Sequence, residues 1–342
     1  MSGLKGAAAL LALVLAVGLS GCGRKAAAPP GKPLTPQQQV LSAINDADLS
    51  KLAPAAGPTS APYDPAMVKL QVLLDRARFS PGVIDGHAGD DVRRAIAAFE
   101  LANGLQGDGT PTKAVWDRLT QADPRPAVRA YVVDADAVAG PFTPNIPKDY
   151  PGQAVLDELG YRGPAEELAR SFHMDVGLLT ALNPGADFRP GSTIMVADRG
   201  GDDLGADIGA VEVDHAQGVV RVSAAGGRLL AVYPASIGSR SCPPITGALA
   251  VRSIAAQPTY SYDSDSLGVL GAVRGRTEVA PGPNNPLGVV WIDLSKDGYG
   301  IHGAPDPGEV GKPQAHGCVR LTNWDARELA RGVKPGVPVT FK

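Results

Sequence analysis

The sequence predicts a multidomain protein that combines a small all-α domain, a small α+β segment and a mostly-β domain. The length of 342 residues exceeds that of one ordinary domain. Apolar residues recur with helical spacing in residues 64–123, whereas apolar and polar residues alternate at the start of the region 207–342. The 42 glycines and 31 prolines indicate many loops between these elements.

Charge and cysteine content exclude several classes of function. The 32 Lys and Arg residues nearly balance 35 Asp and Glu residues, so we expect no nucleic-acid partner. The three cysteines, Cys22, Cys242 and Cys318, lack the paired spacing of a zinc site. We therefore expect no metal and no cofactor.

The N-terminus indicates export. Lys5 precedes the uncharged residues 7–17, a run too short to span a bilayer, so residues 1–21 are predicted to be a signal peptide. The following Leu19-Ser20-Gly21-Cys22 resembles the cleavage box of bacterial lipoproteins. That resemblance implies lipidation of Cys22 and, since Gly23 follows rather than Asp, a periplasmic protein anchored to the outer membrane. An ordinary signal peptide with an incidental cysteine is the alternative.

Residues 22–63 are rich in Ala, Pro and Gln and are predicted to form a tether with one weak helix between Thr35 and Leu52. Residues 64–123 then predict three helices. Their Ile84-Asp85-Gly86, Ala98-Phe99 and Gly104-Leu105 motifs resemble the three-helix peptidoglycan-binding domain family. Asp91 and Glu100 depart from that family's pattern, and a helical spacer without ligand is the alternative.

Residues 146–198 predict two short helices and a strand near Thr193. Leu182-Asn183-Pro184 and Pro190-Gly191-Ser192-Thr193-Ile194 resemble the lysin motif, a small fold that binds wall glycan, although its opening strand is not evident. We expect His173 to lie on a helix surface, because nothing nearby offers metal-ligand spacing.

Residues 207–342 predict a mostly-β domain with one helix near 323–331. Two of the chain's five histidines, His302 and His316, lie close in sequence to Cys318. A cysteine nucleophile needs a neighbouring base, and His302, at the end of a predicted strand, can supply it. Gly317 leaves backbone N–H groups open to a developing oxyanion.

Here the sequence resembles the L,D-transpeptidase catalytic domain. The resemblance rests on Tyr299-Gly300-Ile301-His302-Gly303 and on His316-Gly317-Cys318-Val319-Arg320-Leu321. It implies that Cys318 is the nucleophile, His302 the base, and the Gly303 carbonyl the group that orients the imidazole. His316 and Gly317 would shape the oxyanion site, and Arg320 would order the loop or bind a substrate carboxylate. Ala315 replaces the usual Ser or Thr.

The implied reaction is attack on a peptidoglycan stem, between the third-position diamino acid and D-alanine, followed by transfer to an amine. The predicted partners are stem peptides, wall glycan, the membrane through Cys22, and an acceptor lipoprotein or outer-membrane protein. Three alternatives stay open: an L,D-carboxypeptidase on the same fold, a non-catalytic lipoprotein linking membrane and wall, and a disulfide between Cys242 and Cys318.

Overall fold

The computed structural model describes residues 34–52, 62–238, 243–263, 276–312 and 319–342. Within these ranges no helix has the length and apolar character needed to cross a membrane.

The first part of the described chain is helical. Asp64 caps the second helix and Thr112 the fourth, each through its side-chain oxygen. The buried side chains include Leu70, Phe99 and Trp116, spaced as the helical periodicity predicts. The helices are α1 (Pro36–Asn45), α2 (Pro65–Arg76), α3 (Asp90–Ala102) and α4 (Lys113–Ala122).

Helix α1 lies inside the predicted tether, but it is packed on the folded chain. Thr35 and Gln38 form a reciprocal capping box at its start. Ile44 is fully buried, and the Asn45 side chain donates to the Val128 carbonyl at 2.9 Å. The prediction of a tether over residues 22–63 is therefore wrong for this helix, because its apolar face is covered.

The next part is a small α+β unit. Its strands β1 and β2 pair antiparallel, with Val128 opposite Ala197. Strand β1 lies before the predicted range 146–198 and was not predicted from the sequence; the resemblance of this unit to the lysin motif stays a prediction. The elements are β1 (Val128–Val132), α5 (Tyr150–Gln153), α6 (Pro164–Ser171), α7 (Val176–Leu182) and β2 (Thr193–Ala197).

The helical part and the α+β unit share one hydrophobic core. Val68 and Ile84 of the helical part belong to the same buried cluster as Leu168, Leu179 and Ile194. The two segments, predicted as separate modules, therefore pack as one body.

The last part is the predicted mostly-β domain, which the structure confirms. Its strands are β3 (Ile208–Asp214), β4 (Val219–Ala224), β5 (Leu229–Pro234), β6 (Ser236–Ile237), β7 (Gly247–Ala256), β8 (Tyr260–Asp263), β9 (Arg276–Val279), β10 (Val290–Leu294), β11 (Gly300–His302), β12 (Val319–Arg320) and β13 (Pro338–Phe341). Its helix is α8 (Asn323–Gly332).

Nine of these strands form one sheet in the described residues, in the order β5-β4-β3-β13-β7-β10-β11-β12-β6. The pairs β3–β13 and β11–β12 are parallel, and the other neighbours are antiparallel. Alternate residues such as Val211 and Val213 face a core that also contains Ile292 and Leu329. Strands β8 and β9 form a separate hairpin.

The helical part covers the outer strand of this sheet. Phe79 bridges to Val232 of β5, and the Ser80 N–H donates to the Val232 carbonyl at 2.9 Å. The Arg78 guanidinium pairs with Glu328 of α8, and the Tyr233 hydroxyl donates to the other oxygen of Glu328 at 2.8 Å. An edge that would otherwise be open is thereby paired and covered.

Candidate active site

His302 is placed at the centre of the candidate site by strand pairing. It is the last residue of β11, opposite Trp291 of β10 on one side and Arg320 of β12 on the other. Only 1% of its surface is exposed. The Leu321 N–H donates to the His302 carbonyl at 2.9 Å, which extends the pairing beyond β12.

The imidazole of His302 is held in one tautomer. Its Nδ1 lies 2.7 Å from the Gly303 carbonyl oxygen. A carbonyl only accepts, so Nδ1 carries the hydrogen and donates it. Nε2 is then an acceptor; it is buried and has no hydrogen-bond partner among the described residues. This nitrogen can take a proton from a nucleophile that approaches it.

The surroundings keep this imidazole neutral. Burial lowers the pKa of His302 from 6.5 to about 4; the hydrogen bond to Gly303 opposes that shift, and the positive charge of Arg320 adds to it. The Trp291 ring covers one side, with its centroid 5.6 Å from that of the imidazole. A neutral imidazole at pH 7 is the form that a general base requires.

The predicted nucleophile Cys318 lies outside the described residues, as do His316, Gly317, Ala315, Cys242 and Cys22. Strand β12 begins at Val319, the residue that follows Cys318, and Val319 lies opposite Ile301, the neighbour of His302. The described chain thus brings Val319 beside the strand that carries the predicted base. The roles assigned to Cys318, His316 and Gly317 stay predictions.

Arg320 is largely buried, and its Nη2 has no hydrogen-bond partner within the described part of the chain. Burial lowers the pKa of its guanidinium, and Tyr150 and Glu309 act against that shift. The unpartnered Nη2 is a buried donor, which is costly to leave unbonded, so it is suited to an anionic ligand.

Asn323 is a residue of the site that the sequence did not reveal. Its side-chain oxygen accepts from the Val289 N–H at 3.1 Å, and its Nδ2 donates to the Pro283 carbonyl at 2.9 Å. A Cβ on Gly303 or Gly288 would overlap that oxygen. Asn323 therefore fixes the backbone next to His302; the only local signal was the helix start that follows Thr322.

His173 is not on a helix surface as predicted. Its Nδ1 lies 3.0 Å from an Asp75 carboxylate oxygen, and its ring stacks on that of Trp324 at 4.9 Å. The residue follows α6 with a φ of 57°, and its ring reaches α8 of the mostly-β domain. The pattern on the helix alone could not show this contact, because its partners are distant in sequence.

No group of three or more His, Cys, Asp or Glu residues is arranged to hold a metal ion in the ranges that the structure describes.

Two families match the chain. Residues 209–340 match the L,D-transpeptidase catalytic domain, and residues 63–119 match the peptidoglycan-binding domain. The two matches follow the order that the sequence predicted, with the segment similar to a peptidoglycan-binding domain before the segment similar to an L,D-transpeptidase catalytic domain.

Individual proteins similar to this chain are also named as L,D-transpeptidases. A Bacillus licheniformis protein named as an L,D-transpeptidase, YkuD, is 45% identical over 61 residues, which are 18% of this chain and 37% of that protein. YbiS of Escherichia coli K12, also named as an L,D-transpeptidase, is 27% identical over 205 residues, 55% of this chain and 63% of that protein. The matches therefore span less than two thirds of either relative's length.

Among solved structures, L,D-transpeptidase 3 from Mycobacterium tuberculosis, in complex with a faropenem-derived adduct, is similar at 19% identity and a TM-score of 0.32. That match covers 45% of this chain and 74% of the other.

Proposed function

We propose that this protein is a peptidoglycan L,D-transpeptidase that works by cysteine acyl transfer. The observation that carries the proposal is the state of His302: a neutral imidazole, fixed by Gly303, with a buried and unpartnered Nε2 in the described site. The catalytic-domain match over residues 209–340 supplies the reaction class.

In the proposed reaction, Nε2 of His302 takes the proton of the Cys318 thiol as the sulfur attacks the carbonyl carbon of the third stem residue. The tetrahedral oxyanion is stabilised by backbone N–H groups near Gly317. As the C–N bond breaks, His302 returns the proton to the nitrogen of D-alanine, which leaves with its carboxylate. The acceptor amine then attacks the thioester carbon and loses a proton to His302; the C–S bond breaks, and His302 returns that proton to the Cys318 sulfur.

The helical domain supports peptidoglycan as the partner, since residues 63–119 match a peptidoglycan-binding family. The order β1-α6-α7-β2 in the α+β unit supports the further proposal that this unit is a degenerate lysin motif that binds wall glycan. Both would hold the catalytic domain on its polymeric substrate.

Location is part of the proposal. The predicted signal peptide and the box that ends at Cys22 support export and lipidation, with Gly23 favouring the outer membrane. Treatment of cells with labelled palmitate tests this: the wild-type chain should incorporate label and Cys22→Ser should not. Equal labelling of both would refute the anchor.

Intact-protein mass spectrometry tests the chemistry. The purified protein is incubated with a disaccharide tetrapeptide, beside Cys318→Ala and His302→Gln. We expect an adduct equal to the donor minus D-alanine on the wild type, none on Cys318→Ala, and much slower formation on His302→Gln. Release of D-alanine without transfer to an added amine would instead support a carboxypeptidase. An unmodified wild type that still binds sacculi would favour the membrane-to-wall lipoprotein.

A further inference from the structure

Trp291 lies directly beside the predicted base. It is the cross-strand partner of His302 in the pair β10–β11, so both side chains lie on the same face of the sheet. The centroid of the indole is 5.6 Å from that of the imidazole, and the two ring planes are inclined by 31°. An indole in this position occupies space next to His302 that water would otherwise fill.

Gly300 makes room for the indole. It lies two residues before His302 in β11 and therefore faces the same side of the sheet. A Cβ on Gly300 would overlap the six-membered ring of Trp291. The φ of Gly300 is outside the left-handed region, so its backbone conformation does not require glycine. The close approach of the Trp291 ring is what requires the missing side chain at this position.

The other neighbours of His302 are mostly uncharged. In the described part of the chain, Arg320 of β12 is the charged side chain that acts on the imidazole, from the strand on its other side. The Gly303 carbonyl accepts from Nδ1, and Asn323 of α8 lies against Gly303. Burial is the largest cause of the lowered pKa of His302, and Trp291 contributes a large apolar ring to that burial.

We propose that Trp291 is a positioning residue for the general base: its indole, lying on Gly300, covers one side of the His302 imidazole and keeps water from it. The inference rests on the proposed function for the role of His302. Water at this side of the ring would stabilise the charged imidazolium, in which Nε2 carries a hydrogen and cannot accept one. By excluding water, Trp291 would keep Nε2 free to accept the thiol proton at a lower pH.

An NMR titration tests the contact without turnover. Full-length wild type, Trp291→Leu and Trp291→Phe are titrated from pH 8 to 5, and the His302 signal is identified by its absence from His302→Gln. Burial places the wild-type pKa of His302 at about 4, so its signal should stay constant. In Trp291→Leu the midpoint should move toward 6.5 and enter the range, whereas Trp291→Phe, which keeps an aromatic ring, should stay close to wild type.

Two more variants sharpen this experiment. Gly300→Ala retains Trp291 but displaces its ring, so the midpoint of His302 should move in the same direction as in Trp291→Leu. Phe341→Leu is the matched control, because it shortens a buried aromatic side chain of β13 in the same sheet. It should lose stability and leave the His302 titration unchanged. Circular dichroism at each pH checks that every variant is folded.

The rate of acylation tests the consequence. Adduct formation with the disaccharide tetrapeptide is timed at pH 8 and pH 5, and the ratio of the two rates is compared with that of wild type, which cancels the shared titrating groups. A pKa of 6.5 instead of 4 would lower the neutral fraction of His302 at pH 5 about thirtyfold. We expect the rate ratio of Trp291→Leu to fall by about three- to thirtyfold, and that of Phe341→Leu to stay at the wild-type value.

The proposal is overturned if Trp291→Leu titrates as wild type does, or if it lowers the rate by the same factor at both pH values, as a purely structural role would. A shifted midpoint in Trp291→Leu, together with a wild type that forms no adduct, would refute the transpeptidase and leave the role of Trp291 beside His302 standing.

Discussion

Replacement of His302 by Gln tests the electrostatic description of the site. An unfolded histidine titrates near 6.5, whereas burial lowers the pKa of His302 to about 4 in the folded protein. Between these values the unfolded chain binds more protons, so acid favours unfolding. The contribution is fully present above pH 6.5 and is lost as the pH falls toward 4. From the two pKa values, about 2 kcal/mol is lost between pH 7.5 and pH 5.

Two measurements check this value. Urea unfolding of wild type and His302→Gln at pH 7.5 and 5 should show the wild type losing about 2 kcal/mol more than the variant, because all other titrating groups are shared. In NMR titrations, the imidazole signal missing from His302→Gln should stay constant from pH 8 to 5. A midpoint above pH 6, or parallel stability curves, would refute the neutral buried base.

Three further changes test the packing. Ile44→Ala should lower the free energy of unfolding in urea by about 2–4 kcal/mol, whereas Leu101→Ala, at an exposed position, should lower it by under about 0.5 kcal/mol. An unchanged stability of Ile44→Ala would instead support the predicted tether. Gly303→Ala should lower the free energy of unfolding by about 1–3 kcal/mol and abolish acylation, because its methyl group overlaps Asn323. Gly201→Ala, which has open space around it, should change neither. Wild-type activity of Gly303→Ala would contradict this reasoning. Arg78→Met should cost about 2 kcal/mol by removing the cation beside Glu328, which keeps its bond from Tyr233, and should cost less in a Glu328→Gln background. Equal losses in both backgrounds would exclude the coupling.

Local pattern was sufficient for most of the fold. The alternation over residues 211–214 and 219–222 placed β3 and β4, because each strand buries one face against the same core. It also placed His302 at the end of a strand. The sequence also singled out His302 and Cys318, because His and Cys are rare in this chain; the structure describes His302, and the role of Cys318 stays a prediction.

What the sequence did not reveal depends on contacts between distant segments. Strand β1 was missed because its partner β2 lies far along the chain, beyond α5, α6 and α7. The packing of Tyr150 carries no local signal, since its ring contacts Tyr260 of the β8–β9 hairpin, which lies far along the chain. The contact of His173 was missed for the same reason, because its partner Trp324 is distant in sequence.

Helix α8 connects the candidate site to the helical part and the α+β unit. At its start, Asn323 fixes the backbone beside His302. One residue later, Trp324 stacks on His173 of the α+β unit, and Asp325 accepts from the Ser80 hydroxyl at 2.9 Å. Because a helix is stiff over so short a distance, His302 has a fixed position relative to the helical part and the α+β unit. Under the proposed function, wall binding by these parts would orient the candidate site on its substrate as well as raise its local concentration.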